Sequence, residues 1–281
     1  PEKTALPDPE SCGEAEAAAV LSHPVWLFRK LAEQYGKKDA AAVCRANNKR
    51  PLFGVRINTG RTSLSSMKTR LEKQDIPVER SAWFSTFLVT PYIRDITRFS
   101  EFREGLFTVQ DESTALSVRL MDLKPGEICF DLAAAPGGKT TALAESCGDQ
   151  AFIYAADLTL KKVMRIKEHQ KRLGLKRIFP ILSDSRRPAL ESCADKVLLD
   201  APCSGMGTVR KHPELKWFKS EADIESLVRL QILLLEQAAL LVKPNGIIVY
   251  STCSLLRDEN MEAVRSFLAR KRNFRIDSAE G

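Results

Sequence analysis

The sequence predicts an α/β protein: a doubly wound, largely parallel sheet preceded by a small α+β unit. Three observations carry this. From about Gly105 onward, short apolar runs of strand length alternate with segments of helical length, the rhythm of a parallel sheet with crossover helices. Before Gly105 the pattern is mixed, with helices and isolated strands in no regular alternation. The length of 281 residues suits one large domain or two modest ones, and the 44% hydrophobic, 28% charged composition is that of a globular protein.

The elements follow in order. Residues 1–21 are rich in Pro, Glu and Ala and read as a weakly ordered lead-in. Ser22-His23-Pro24 opens a helix with Trp26, Leu27, Leu31 and Tyr35 at helical spacing, and Gly36 stops it. A second helix is expected over about 39–47, a strand over 52–58 after Pro51, and a helix over 63–74. Residues 76–90 read as extended, with Trp83, Phe84 and Phe87 buried. Strands are then expected at 128–132, 152–157, 178–183, 196–200 and 246–250, and helices at about 138–147, 160–173, 221–242 and 257–270. The expected division is a lead-in over 1–21, an α+β module over 22–104 and the large sheet over 105–281.

Composition excludes several classes. Apolar residues are too plentiful for low-complexity disorder. The most apolar stretch, 224–242, is broken by Glu225, Arg229, Gln231, Glu236 and Gln237, so it cannot span a bilayer, and no membrane partner is expected. No cationic-then-apolar leader opens the chain. Pro1 stands first rather than Met, so an excised piece is expected. The net charge of +7 permits a nucleic-acid partner without establishing one. The seven cysteines lie no closer than ten residues apart and the three histidines are scattered, so no zinc site is expected. Free thiols in a reducing cytoplasm are the expectation.

Four aspartates, Asp131, Asp157, Asp184 and Asp200, fall at or just past the ends of successive predicted strands. Any one alone reads best as a cap or turn residue. Four on the edge where an open α/β sheet binds its ligand point to a polar cofactor. The turn after the first strand of this sheet reads Ala133-Ala134-Ala135-Pro136-Gly137-Gly138-Lys139-Thr140. Its glycines let backbone approach a ligand at a helix N-terminus. It is neither a G-x-G-x-x-G nor a Walker A loop, since Ala133 stands where the latter needs its first Gly. A nucleoside without a triphosphate fits, and S-adenosylmethionine is such a molecule.

Cys203, in Asp200-Ala201-Pro202-Cys203-Ser204-Gly205, follows the fourth of these strands; Cys253, in Tyr250-Ser251-Thr252-Cys253-Ser254, follows the fifth. Either alone reads as an incidental half-buried thiol. Two on neighbouring strand ends beside Asp200 make a nucleophile plausible. A thiol of unperturbed pKa ~8.5 would need a helix N-terminus or a cation to ionise, and Lys139 is a candidate.

Together, Ala135 to Thr140, Asp200 to Gly205 and Thr252-Cys253-Ser254 resemble the RsmB/NSUN (Sun-type) RNA cytosine-5 methyltransferases, and Gln110-Asp111 matches the segment leading into their catalytic domain. The resemblance covers about 22–269, and His23 to Leu27, Asn47-Asn48 and Val55 to Asn58 look closest to the bacterial small-subunit rRNA branch. It implies a Rossmann-like S-adenosylmethionine-dependent methyltransferase sheet with an RRM-like N-terminal module. It further implies Cys253 as nucleophile on carbon 6 of cytosine, Cys203 in product release, Asp200 on the base edge and Lys139 near cofactor and base. Ala133 to Lys139 would wrap the methionine part of the cofactor, Asp157 the ribose and Asp184 the adenine end.

The implied partner is RNA, small-subunit rRNA first and tRNA second, with no metal, a monomeric state and a cytoplasmic location. A catalytically idle assembly factor is the alternative of another class, disfavoured by both cysteines and Asp200. A DNA methyltransferase is disfavoured by the second thiol motif. Of the basic residues, Lys161, Lys162, Arg165, Lys167, Lys171, Arg172, Lys176 and Arg177 read first as a solvated helix face. RNA contact is expected rather from Arg45, Lys49, Arg50, Arg56 and Arg61, and from Arg210, Lys211 and His212. Family members carry a further N-terminal helical domain and a terminal hairpin with a Gly-Phe-Phe-like run. Neither is recognisable between Pro1 and Gly281, and Ala133 stands where relatives often have Cys.

Overall fold

The computed structural model describes residues 6–189 and 191–277. In chain order the helices are α1 (Glu14–Val20), α2 (Val25–Tyr35), α3 (Lys37–Asn47), α4 (Leu64–Glu72), α5 (Ser100–Arg103), α6 (Thr114–Met121), α7 (Gly138–Ser146), α8 (Leu160–Leu173), α9 (Leu215–Phe218), α10 (Glu221–Leu241) and α11 (Met261–Arg270). The strands are β1 (Phe53–Ile57), β2 (Glu79–Arg80), β3 (Phe87–Thr90), β4 (Phe107–Val109), β5 (Ile128–Asp131), β6 (Phe152–Asp157), β7 (Ile178–Leu182), β8 (Ala194–Asp200) and β9 (Val242–Ser251).

The chain forms two compact units. One gathers residues 1–51, 202–232 and 252–275; the other holds 52–201, 233–251 and 276–281. In the first, Ala17 and Ala18 of α1, Leu27, Phe28 and Leu31 of α2, and Ala40, Ala41 and Cys44 of α3 form one buried cluster with Met206, Val209, Ile224 and Leu256. The segment expected to be a weakly ordered lead-in thus contains a helix. Its alanines leave little apolar moment to read, but they permit close packing, and Glu16 closes the first turn on the Gly13 amide at 3.2 Å. Gly36, at φ +84°, turns α2 into α3.

The second unit carries both sheets. The smaller is antiparallel in the order β2-β3-β1-β4, over a core of Val55, Ile57, Met67, Leu71, Leu88 and Phe107. Its last strand lies beyond Gly105. The extended run at 76–90 proves to be two short strands; Phe87 is buried, but Trp83 is 78% exposed and Phe84 only half-buried, correcting the expectation for both. Trp83 sits in the turn between the strands, where alternation no longer aims a side chain inward. The larger sheet is parallel throughout in the order β7-β6-β5-β8-β9, the doubly wound α/β architecture expected. Its strands bury Cys129, Ile153, Leu198 and Val249 against Leu143 of α7, Ile166 of α8 and Met121 of α6. The order reverses at β5, so the carboxyl ends of β5, β6 and β8 lie along one edge of this sheet at the switch point.

Candidate active site

The glycine turn leads from β5 into α7. Gly137 has φ +101°, and a Cβ there would lie 3.3 Å from the Cα of Ile166. Glycine therefore allows both the left-handed turn and the close approach of α8. The first-turn N–H groups of α7 have no intrahelical acceptor and lie at the positive end of the helix dipole, a place for a carboxylate. Asp157, buried at the end of β6, accepts the Ala135 amide (3.0 Å) and the Leu158 amide (2.7 Å), and Lys162 pairs with it at 3.0 Å. A carboxylate has acceptor positions beyond these three. Asp184, just past β7, is held by Arg186 at 2.7 Å, which keeps its carboxyl below the ordinary carboxylate range. Donors at the turn and acceptors past β6 and β7 fit a nucleoside carrying an amino-acid tail, so the residues present fit S-adenosylmethionine.

Lys139 reaches from α7 to the ends of β8 and β9. Its ammonium pairs with Asp200 and donates to Ser251 Oγ (3.1 Å), which in turn donates to Asp200 (2.9 Å). Beneath lies Asp131, 1% exposed, accepting the Thr140 hydroxyl at 2.7 Å. Burial first, and then the charge of Asp200, push the Asp131 carboxyl up to about 7.

The two loop cysteines lie together. Their sulfurs are 3.0 Å apart with no disulfide, and the Cys253 amide donates to the Cys203 sulfur at 3.2 Å. The hydrogen bond to Cys253, and then burial, push the Cys203 thiol well above its ordinary pKa. The loops are also joined through the Gly207 amide on the Cys253 carbonyl (2.8 Å) and Ser204 Oγ with Ser254 Oγ (3.3 Å). Gly207 is required there: a Cβ would lie 2.8 Å from the Cys253 carbonyl oxygen.

Of the residues singled out in the sequence, Lys139 meets Asp200, Cys203 meets Cys253, and Asp157 meets the glycine turn, whereas Asp184 is paired only with Arg186 among its recorded contacts. Sequence reasoning missed Ser251, the hydroxyls of Ser204, Thr252 and Ser254, and the Glu259-Asn260 pair. The available signal was the hydroxyl residues flanking both cysteines. One expected RNA contact, Arg56, needs correction. Arg56 is 4% exposed and is ion-paired with Glu145 at 3.0 Å, so it cannot reach a solvent phosphate. Arg45 pairs with Glu10, and Arg210 caps the Arg50 carbonyl. On α8, Arg172 turns inward onto the Phe102 and Phe107 carbonyls (2.8 and 2.9 Å), while Lys161, Arg165, Lys167 and Lys171 are exposed. Among the described residues no cluster could hold a metal ion, and no helix is long and apolar enough to cross a membrane.

Comparison with known proteins agrees with this geometry. A family model described as 16S rRNA methyltransferase RsmB/F matches residues 118–280, and one described as the ferredoxin-like domain of RsmF/B-like methyltransferases matches 23–90. The chain is 34% identical to a ribosomal RNA small subunit methyltransferase B of Cronobacter sakazakii, over 91% of this chain and 59% of that protein. It is 35% identical to a probable small subunit methyltransferase B of Synechocystis, over 92% and 59%. It thus spans about three fifths of the length of these relatives. The solved structure of a methyltransferase homolog protein from Pyrococcus horikoshii superposes with a TM-score of 0.78 at 32% identity, covering 91% of this chain and 82% of that one. With the family match extending over more than half its length and running through the glycine turn and both cysteine loops, this chain belongs to the RsmB/F methyltransferase family.

Proposed function

We propose that the chain carries the catalytic part of an S-adenosylmethionine-dependent RNA methyltransferase that methylates carbon 5 of a cytosine, in small-subunit rRNA, through a covalent cysteine–cytosine intermediate. The observation that carries this reading is the pair of reduced sulfurs 3.0 Å apart on the loops that follow β8 and β9.

Carbon 5 of cytosine is a poor nucleophile. A thiolate added to carbon 6 breaks the ring's aromaticity and makes carbon 5 enamine-like. Cys253 is the more exposed of the two thiols and is assigned that addition. Cys203 keeps its proton at neutral pH, and a protonated Cys203 can donate to the Cys253 sulfur and so stabilise its thiolate. Asp200, fixed by Lys139 and Ser251, is assigned the amino and ring-nitrogen edge, where negative charge develops during addition. S-adenosylmethionine supplies an electrophilic methyl group on a sulfonium. With the methyl group on carbon 5, Cys203, having given up its own proton, takes the carbon-5 proton; the freed electron pair re-forms the carbon 5–carbon 6 double bond and expels Cys253 as a thiolate. The target cytosine must be unstacked to reach such a site.

Bisulfite mapping of rRNA and tRNA from cells lacking the protein tests the substrate: one unmethylated 16S cytosine is expected, and a loss confined to tRNA would overturn the rRNA assignment. For the chemistry, Cys253→Ala is expected to abolish methyl transfer while cofactor binding survives. Cys203→Ala should trap an RNA adduct that withstands denaturing gels. Methyl transfer by Cys253→Ala at the wild-type rate would refute the nucleophile.

A further inference from the structure

We infer that Glu259 and Asn260 are a pair of positioning residues that hold the two cysteine loops at thiol–thiol contact. The inference rests on the proposed use of both thiols for its catalytic meaning, but its geometry stands alone.

The two residues are consecutive, at the end of a single 3₁₀ turn (Arg257–Glu259) that opens α11. Their side chains serve different loops. Glu259 is fully buried and takes the Cys203 side: it accepts the Ser204 amide (2.7 Å), the Ser204 hydroxyl, and the side-chain amide of Gln231 (3.1 Å), which also donates to the Pro202 carbonyl (2.9 Å). The residues on both sides of Cys203 are therefore held by one carboxylate and the amide it orients. Asn260 takes the Cys253 side: its amide donates to the Ser254 and Leu256 carbonyls (both 2.9 Å), and its oxygen accepts the Thr252 hydroxyl (2.5 Å). Thr252 and Ser254 flank Cys253.

A carboxylate removed from water is costly unless fully hydrogen-bonded, so a buried Glu that accepts from this loop and from its Gln231 prop is a specific device rather than a helix cap. Glutamine keeps an acceptor for the Ser204 amide but loses the charge and turns the oxygen facing the Ser204 hydroxyl into an NH₂, so that hydroxyl must reverse from donor to acceptor. Alongside the direct bonds between the loops, two neighbouring backbone positions that cannot move independently thus hold both sulfurs in place.

The test uses the full-length protein and phenylarsine oxide, a trivalent arsenical that joins two nearby thiols with loss of one water, so that both sulfurs end bonded to arsenic. Peptide mapping by mass spectrometry reads bridging of Cys203 to Cys253; iodoacetamide labelling reads each thiol singly. Wild type should bridge readily. Glu259→Gln and Asn260→Ala should slow bridging at least about tenfold, since small misplacement is strongly felt in a reaction needing two groups at once. Single-thiol labelling should persist, and Glu259→Asp should restore part of the bridging rate. If Glu259→Gln does not fold, Ser204→Ala removes the hydroxyl half of the contact from the other side and should slow bridging in the same direction. In methyl transfer the positioning variants should lower kcat with KM for RNA little changed. Unchanged bridging in the folded variants would overturn the inference. Slowed bridging in a protein whose wild type transfers no methyl group to RNA would sustain the brace and count against the methyltransferase reading alone.

Discussion

Replacing Arg56 by Met should destabilise the second unit by about 3–5 kcal/mol, the usual result of leaving one member of a buried ion pair alone. Arg56 projects from β1, and its side chain is 5% exposed against 10% for Glu145, so solvent screens the pair little. Besides the 3.0 Å contact to Glu145, the guanidinium donates to the Gly138 carbonyl (2.7 Å) and the Thr141 hydroxyl (2.9 Å). Burial already raises the Glu145 carboxyl, and Arg56 is the chief influence pulling it back down. Without the arginine it should rise further. A raised carboxyl pKa gives stability that is present at low pH and lost as pH rises, so the deficit of Arg56→Met should shrink on going from pH 7 to pH 5. Urea unfolding of wild type, both single variants and Arg56→Met/Glu145→Met, at both pH values, closes the thermodynamic cycle. The double variant should recover most of the loss, because an apolar pair of similar volume carries no desolvation penalty. A single-variant loss below about 1 kcal/mol, or a deficit that grows on acidification, would refute the reasoning.

Three further outcomes are expected. In Cys253→Ala the partner that raises the Cys203 pKa is gone, so at pH 8 iodoacetamide should label Cys203 faster than in wild type; an equal or slower rate refutes the coupling. For Asp131, held at about 7 when folded, protons bind the folded state more tightly than the unfolded one, so wild type should lose stability relative to Asp131→Asn as pH rises from about 4 to 7; parallel urea midpoints across that range would refute it. Gly137→Ala places a Cβ at φ +101° against Ile166, and should weaken S-adenosylmethionine binding in calorimetry far more than it lowers the thermal midpoint; unchanged affinity would remove the turn from the cofactor site.

The large sheet was legible because its signals are local. β6 and α8 fall at the expected boundaries: the strand is an uninterrupted apolar run closed by Asp157, and the helix is bounded by Thr159, whose hydroxyl caps the Lys162 amide, and by Gly174 in the left-handed conformation. The glycine turn and both cysteine motifs were legible for the same reason. What escaped depends on partners distant in the chain. β4 is three residues long and is a strand only by pairing with β1, fifty residues earlier. Arg56 reads as one more basic residue until Glu145, 89 positions on, buries it. The sulfur contact and its Glu259-Asn260 brace join segments fifty or more residues apart for Cys203, and no periodicity reports such a closure.

The sulfur pair also sets an order of events. Two sulfurs at 3.0 Å cannot both be anionic, so the pair carries at most one negative charge at any moment. In the proposed reaction, Cys253 holds that charge until it bonds carbon 6, and a thioether carries none. The chief influence raising the Cys203 thiol is then removed while its burial remains, so Cys203 gives up its proton more readily once the base is captured. Capture and release would thus be sequential by electrostatics, each sulfur silent during the other's turn, with no moving part needed to separate the two steps.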